Sequence, residues 1–113
     1  MIQKKSLSLL ALLSFCTLPA LAQTTDSPTS FQIVVKDGKF TPAELTIPAG
    51  QKVKLTVKND DAVQAEFESY KLDREQKIDS GTETEIFVGP LEAGEYPFFD
   101  DNNPDAKGII TAK

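Results

Sequence analysis

The sequence of 113 residues predicts an all-β fold, a single small antiparallel sandwich or barrel of about seven or eight strands. Short segments alternate between apolar and polar residues, most clearly at 51–59, where Val53, Leu55 and Val57 share one face. Turn signals recur about every eight to twelve residues, which is typical of such folds. No segment has the apolar spacing of an amphipathic helix.

The elements follow from this alternation and from the turn residues between them. Asp37-Gly38, Pro48-Ala49-Gly50 and Asp79-Ser80-Gly81 mark turns. Val63, Ala65 and Phe67 are expected on one strand face, with Gln64, Glu66 and Glu68 on the other. Residues 70–78 are less regular and predict a loop or short helical turn followed by a brief extended piece. The predicted extended segments are 31–36, 40–47, 51–59, 63–69, 82–88, 96–99 and 108–112.

The N-terminal residues have the pattern of a secretory signal peptide. Lys4 and Lys5 give the charged start, an apolar stretch covers 7–18, and Ala20-Leu21-Ala22 is an A-x-A cleavage site. We expect cleavage after Ala22 and a periplasmic or secreted protein that does not span the membrane. The predicted organisation has three parts: a signal peptide at 1–22, a flexible polar lead-in at 23–30 and the domain at 31–113.

The negative net charge of the chain indicates which partners it can bind. Loss of Lys4 and Lys5 with the signal changes the formal net charge from −5 to −7. Nucleic acid is therefore not expected, because phosphate contacts need a basic face. A cation or a basic protein surface suits the chain better, and we expect a monomer.

The donor atoms exclude several chemistries. The sequence has no His, and its single Cys and single Met, Cys16 and Met1, both lie in the predicted signal. A disulfide, a type 1 copper site and the usual tetrahedral zinc site therefore lack their ligands. Catalysis by a Ser-His or Cys-His pair is excluded too. Carboxylates, amides and backbone carbonyls suit hard cations such as iron, manganese, calcium or magnesium.

The first candidate site is the polar loop at 100–105. Three carboxylates and two amides within six residues, Asp100, Asp101, Asn102, Asn103 and Asp105, can supply oxygen ligands to a hard cation. The alternative is a solvated turn, since Asp and Asn before Pro favour turns for backbone reasons alone. The loop lacks the glycine and the distal glutamate of a calcium EF-hand.

The second candidate is a set of glutamates on the strand at 63–69 and just after it. Glu66 and Glu68 are two residues apart, so they share a strand face and can form a carboxylate pair, with Glu75 in support. The alternative is a solvent-facing edge whose charges pair weakly with Lys71, Arg74 or Lys77. Nothing else in the sequence suggests a substrate pocket, so we expect no enzymatic activity.

Several segments resemble the cupredoxins, the small copper-binding β-sandwiches. The similarity covers 39–43, the Pro-Ala-Gly segment at 47–59 and the approach to the metal loop at 90–96. It implies a Greek-key sandwich. In that family a cysteine, a histidine and a methionine occupy the closing hairpin. Asp100, Asn103 and Ala106 stand at those places here.

A narrower resemblance is to the EfeO-type cupredoxin-like domains of periplasmic iron-uptake systems. It lies in 65–69, Leu72 and Arg74-Glu75. It implies an accessory role in iron uptake, with iron or another hard cation bound by acidic residues rather than type 1 copper. The implied metal ligands are Glu66, Glu68, Glu75, Asp100, Asp101 and Asn103. The alternative is a metal-free docking module that contacts an iron permease or a partner cupredoxin.

Overall fold

The computed structural model describes residues 28–113, and these residues form strands, turns and loops. Within this range no helix is long and apolar enough to cross a membrane. The strands are β1 (Thr29–Lys36), β2 (Lys39–Thr41), β3 (Glu44–Ile47), β4 (Val53–Asn59), β5 (Ala65–Ser69), β6 (Arg74–Ile78), β7 (Glu83–Val88), β8 (Gly94–Asp100) and β9 (Asn103–Ala112).

Two sheets face each other, which confirms the predicted all-β sandwich. The four-stranded sheet has the order β2-β1-β4-β7, and the five-stranded sheet has the order β3-β9-β8-β5-β6. Most neighbours are antiparallel, as the sequence predicts. The pairs β1–β4 and β3–β9 are parallel, and neither joins strands connected by a hairpin, which only antiparallel strands can form.

The core lies between the sheets and is built by strict alternation along the strands. In β4 every second residue is buried, from Val53 to Asn59, as the sequence predicts. Three aromatic rings from β2, β5 and β8 meet at the centre. The ring of Phe98 lies 5.0 Å from that of Phe40 and 5.1 Å from that of Phe67, measured between centroids. Phe99, next in the chain, is half-buried on the opposite face, as adjacent strand residues must be.

The β1–β2 hairpin has its turn at Asp37-Gly38, as the sequence predicts. Asp37 and Gly38 have φ values of 51° and 68°, the pair of positive angles that a two-residue hairpin turn requires. The backbone N–H groups of both residues donate to the carboxylate of Asp61, with Gly38 N at 3.1 Å from Oδ2. The turn is therefore anchored to the β4–β5 loop.

Residues 70–73 form a turn and Arg74–Ile78 form the strand β6, which confirms the predicted loop followed by an extended piece; the alternative of a helical turn is not what forms. Two other local predictions need correction. Val63 is 70% exposed and precedes β5, so it does not share the buried face of Ala65 and Phe67. Thr29 and Ser30 belong to β1, whereas the sequence placed them in the lead-in. The predicted signal peptide and the rest of the lead-in lie outside the described residues.

The closing hairpin also differs from the predicted loop. The turn between β8 and β9 is only Asp101-Asn102, because Asp100 pairs with Asn103. Phe99 pairs with Lys107, so Pro104, Asp105 and Ala106 form an irregularity in β9. This bulge replaces the open loop expected at 100–105, and it places the side chain of Ala106 in the core.

Candidate functional site

Asp100 lies at the end of β8 and is only 5% exposed. Its Oδ1 atom accepts hydrogen bonds from the backbone N–H of Glu66 at 2.9 Å and of Asn102 at 3.0 Å. One bond ties the hairpin to β5 and the other closes the turn. The carboxylate thus has a structural role, and Oδ2 is its less occupied oxygen.

The remaining hairpin residues point to different neighbours. Asp101 is exposed in the turn, and its backbone N–H donates to the carbonyl of Glu66 at 3.0 Å. Asn103 is exposed at the start of β9 and lies beside the β1–β2 turn, where a Cβ added at Gly38 would be 2.9 Å from its Nδ2. The structure therefore brings Asp101 towards β5 and Asn103 towards β1 and β2.

The predicted glutamates do share one surface, the outer face of the five-stranded sheet. In the β5–β6 register, Glu68 lies opposite Glu75 and Glu66 lies opposite Lys77. Directly opposed like charges destabilise a strand pair. Glu66 is only 6% exposed although it faces outward. We call Glu66, Glu68, Glu75 and Asp101 the acidic group.

The pKa of two members of the acidic group, Glu66 and Glu68, is raised. A hydrogen bond shared with the Glu75 carboxyl raises the pKa of Glu66 above 4.5; burial and the charges of Glu75 and Asp101 add to this, and Lys77 opposes it. Burial raises the pKa of Glu68, followed by the charges of Asp101 and Glu75 and a hydrogen bond to Asp101. These carboxylates therefore interact with one another.

Cations do not neutralise this group in the part of the chain that the structure describes. The two ion pairs there, Lys54–Glu85 at 3.4 Å and Lys58–Asp60 at 3.5 Å, involve the four-stranded sheet and the residue after β4.

Nearby basic residues bind backbone instead. Lys71 donates to the carbonyl of Glu95 at 2.7 Å, and Arg74 donates to the carbonyl of Phe87 at 3.1 Å. Across residues 28–113, no three acidic side chains are arranged closely enough to hold a metal ion as they stand. The sequence-predicted ligands are thus partly grouped but not assembled into a coordination shell.

Sequence reasoning missed an aromatic feature beside the acidic group. Tyr70 is 78% exposed, and its ring packs against Phe99 with centroids 5.4 Å apart. Phe99 also lines an open groove of about 600 Å³ on the same outer face. The signal was present in the sequence, since Pro97 and Phe99 alternate with buried Tyr96 and Phe98 and must face outward. The groove is otherwise lined mainly by Ala43, Glu44, Pro97, Pro104, Lys107 and Ile109.

A second missed feature is a buried amide that organises the loops. Asn59 is fully buried, and its Nδ2 donates to the carbonyls of Val63 at 2.8 Å and Ile78 at 2.9 Å. Its Oδ1 accepts from the N–H of Asp61 at 2.9 Å. All polar atoms of this amide are satisfied, so Asn59 fixes structure and is not free to bind a ligand.

Comparisons with known proteins give consistent results. A family model described as a cupredoxin-like domain matches residues 6–112. An uncharacterized protein of Rickettsia prowazekii (strain Madrid E) is 35% identical over 89 residues, covering 78% of this chain and 71% of that protein.

Two solved structures illustrate the shared fold. A purple cupredoxin from Nitrosopumilus maritimus matches with a TM-score of 0.57 and 24% identity, over 73% of this chain and 98% of that one. Auracyanin A, a blue copper protein from the green thermophilic photosynthetic bacterium Chloroflexus aurantiacus, matches with a TM-score of 0.65 and 17% identity, over 76% and 99%. At these identities the likeness is one of fold.

Proposed function

Because the chain belongs to the cupredoxin-like domain family, we propose that it is an exported, periplasmic accessory protein of iron uptake that binds iron or another hard cation through carboxylates. It acts by binding rather than by catalysis, and as a monomer. The iron assignment is supported by the EfeO-type resemblance of residues 65–75.

The donor chemistry supports a hard cation over copper. A type 1 copper centre needs a thiolate and imidazoles. Residues 23–113 contain no Cys, His or Met, and Asp100, Asn103 and Ala106 offer a carboxylate, an amide and a buried methyl group. This donor set does not fit a type 1 copper centre. Oxygen donors fit ferric or ferrous iron, manganese, calcium or magnesium.

The observation that carries the proposal is that the carboxylates of the acidic group share one outer surface, where Glu68 lies opposite Glu75. Neighbouring carboxyls contribute to the raised pKa of both Glu66 and Glu68, so placing full charge on the group is unfavourable in the metal-free protein. A bound cation removes that cost. Asp101 and Glu75 are exposed, so core packing does not fix the position of either carboxylate. Asp100 and Asn103 support the turn that presents Asp101.

Calorimetry tests this proposal directly. Protein expressed from its full sequence is titrated with ferrous iron, manganese, calcium and cupric ion, and with ferric iron as its nitrilotriacetate complex. We expect weak binding of one or more hard cations and a rise in melting temperature with added ion. The double variant Glu68→Gln/Asp101→Asn should lose both effects. Glu85→Gln, on the opposite sheet, is the matched control and should keep them. Absence of heat and of any melting shift for every ion would end the proposal.

The second candidate function is docking without metal. The exposed Tyr70–Phe99 pair favours it, because large aromatic side chains beside charged residues are typical of protein interfaces. Removing charge with Asp101→Asn, at an exposed carboxylate of the acidic group, discriminates the two functions. If the variant stabilises the protein and metal never changes melting, the carboxylates only repel one another and docking is favoured. If metal raises melting and the variant abolishes the rise, the cation function is favoured.

A further inference from the structure

We propose that the outer face of the five-stranded sheet docks a protein segment that carries an apolar side chain and, about 10 Å away, basic side chains. This inference deepens the docking function and does not depend on metal binding. It rests on the arrangement of two neighbouring surfaces in the sheet order β3-β9-β8-β5-β6: an apolar surface over the first three strands and an acidic surface over the last two.

The apolar half of this face is the groove over β3, β9 and β8. Pro97 and Phe99 face out from β8, and Ile109 stands opposite Pro97 on β9. Pro104 from the bulge forms part of the wall. Most of this lining is apolar, so an apolar side chain of a partner gains by leaving water here. Tyr70 extends the apolar surface from Phe99 towards β6.

The acidic half lies over β5 and β6, where Glu68 and Glu75 face each other and Glu66 and Asp101 are neighbours. A recess of about 320 Å³ next to it is lined by Glu68, Ser69, Tyr70, Asp73, Arg74 and Glu75. The guanidinium of Arg74 donates to backbone carbonyls, including that of Phe87, so the three carboxylates of the recess have no ion pair within 4.0 Å among the described residues. The size of the recess suits a long side chain, and its walls include these carboxylates and an aromatic ring. Such surroundings suit arginine, which pairs with carboxylates and stacks on aromatic faces.

Charge complementarity selects a basic occupant. No ion pair within 4.0 Å neutralises the acidic group among residues 28–113, and Lys71 and Arg74 are committed to backbone carbonyls. Lys77, opposite Glu66, and Lys107, at the groove, are the cations facing out nearby. An acidic partner would meet these unneutralised carboxylates and be repelled.

The spacing of the two halves gives the pattern of the partner. Neighbouring strands lie about 4.8 Å apart, so β9, the middle strand of the groove, and β5, which carries Glu66 and Glu68, are two strand spacings, or roughly 10 Å, apart. Three residues of extended chain span about that distance. A segment with an apolar residue and an arginine about three positions apart can therefore occupy both halves together.

The probes are three synthetic peptides of equal length. One combines leucine and arginine at this spacing, one replaces leucine by serine, and one replaces arginine by glutamate. Binding to ¹⁵N-labelled protein expressed from its full sequence is followed by NMR at low salt. We expect the Leu/Arg peptide to shift amides of β5, β6 and β8 and to bind at least about fivefold more tightly than either other peptide.

Variants test which side chains contribute to peptide affinity. Tyr70→Ser should weaken binding about fivefold or more, and Glu68→Gln/Glu75→Gln should weaken it and reduce its salt dependence. Phe87→Ser is the matched control, because Phe87 is 42% exposed on the other sheet beneath Lys52; it should change affinity less than about twofold.

The inference is overturned if the Leu/Arg peptide does not bind, if Tyr70→Ser has no effect, or if Phe87→Ser weakens binding equally. Shifts confined to the four-stranded sheet would keep the docking function and reject this surface. Cation binding without peptide binding would keep the iron function and reject this inference.

Discussion

Replacing Asp100 by alanine separates the structural role of the closing hairpin from any ligand role. In the native protein the buried Oδ1 atom accepts from Glu66 N and Asn102 N. Alanine leaves both donors without this acceptor, and Glu66 N lies in a buried residue of β5. A buried donor without a partner costs about 1–3 kcal/mol, and Asn102 is exposed enough for water to replace its bond. We expect Asp100→Ala to lower the free energy of unfolding by about 1–3 kcal/mol.

Asparagine is the informative comparison at this position. Its carboxamide oxygen can still accept both hydrogen bonds, so Asp100→Asn should cost about 1 kcal/mol or less. A metal ligand would behave differently, because the amide lacks the charge that a hard cation prefers. Asp105→Ala is the control for a general loss of charge, because Asp105 is an exposed carboxylate in the same hairpin, and it should stay within about 0.5 kcal/mol.

Urea unfolding monitored by circular dichroism measures these differences, with thermal melting as a second readout. For a domain of this size about 3 kcal/mol, the upper end of the range for Asp100→Ala, corresponds to a drop of roughly 12 °C or more in melting temperature. Equal stability of Asp100→Ala and Asp105→Ala would refute the structural role assigned to Oδ1. So would an asparagine variant that is as unstable as the alanine variant.

Three further predictions test other parts of the fold. Glu66 and Glu68 bind protons more tightly in the folded than in the unfolded chain, because folding raises their pKa. The free energy of unfolding should therefore fall as pH rises from about 4.5 towards neutrality. Glu66→Gln should make this fall smaller, as measured by urea midpoints across the same pH range. Gly108→Ala should cost about 3 kcal/mol in urea unfolding, because the new Cβ would overlap both the ring of Phe98 and the backbone carbonyl oxygen of Ala43; a loss under about 1 kcal/mol would show that both neighbours can move away. Asn59→Asp should cost about 3 kcal/mol or more near neutral pH, because a carboxylate oxygen would replace the amide that donates to two carbonyls, and unchanged thermal melting would contradict this.

The alternation and turn residues were sufficient to predict most of the sandwich. Val53, Leu55 and Val57 are buried as their spacing requires, and Asp37-Gly38 forms the expected turn. β6 was predicted only as a brief extended piece without bounds, because its residues Arg74 to Lys77 show no alternation between apolar and polar side chains. β6 is an edge strand in which only Ile78 is buried, so its sequence shows little alternation of apolar and polar residues. Its pairing with β5 is what defines it as a strand.

The candidate site was harder to predict because it depends on register and on side-chain direction. The proximity of Glu68 and Glu75 follows from the β5–β6 pairing, which spacing along the chain does not determine. The loop at 100–105 looked like one oxygen-rich cluster. The bulge at Pro104–Ala106 instead gives a two-residue turn, in which Asp100 binds backbone while Asp101 and Asn103 approach different strands.

The polar side chains in and around the closing hairpin and the β4–β5 loop fall into two groups. One group is explained by folding, and the other is a candidate for binding. Asp61, Asn59 and Asp100 each accept a hydrogen bond from a backbone N–H in a turn or loop, namely that of Gly38, Asp61 and Asn102 respectively. Folding therefore explains their positions. Among residues 28–113, the side chains of Glu66, Glu68, Glu75 and Asp101 accept no such backbone hydrogen bond, and neighbouring carboxyls within the group contribute to the raised pKa of Glu66 and Glu68. A grouping that costs stability without fixing a turn calls for a compensating ligand, whether an ion or a basic side chain. Binding should therefore be sought on the outer face of the five-stranded sheet, with the hairpin as its support.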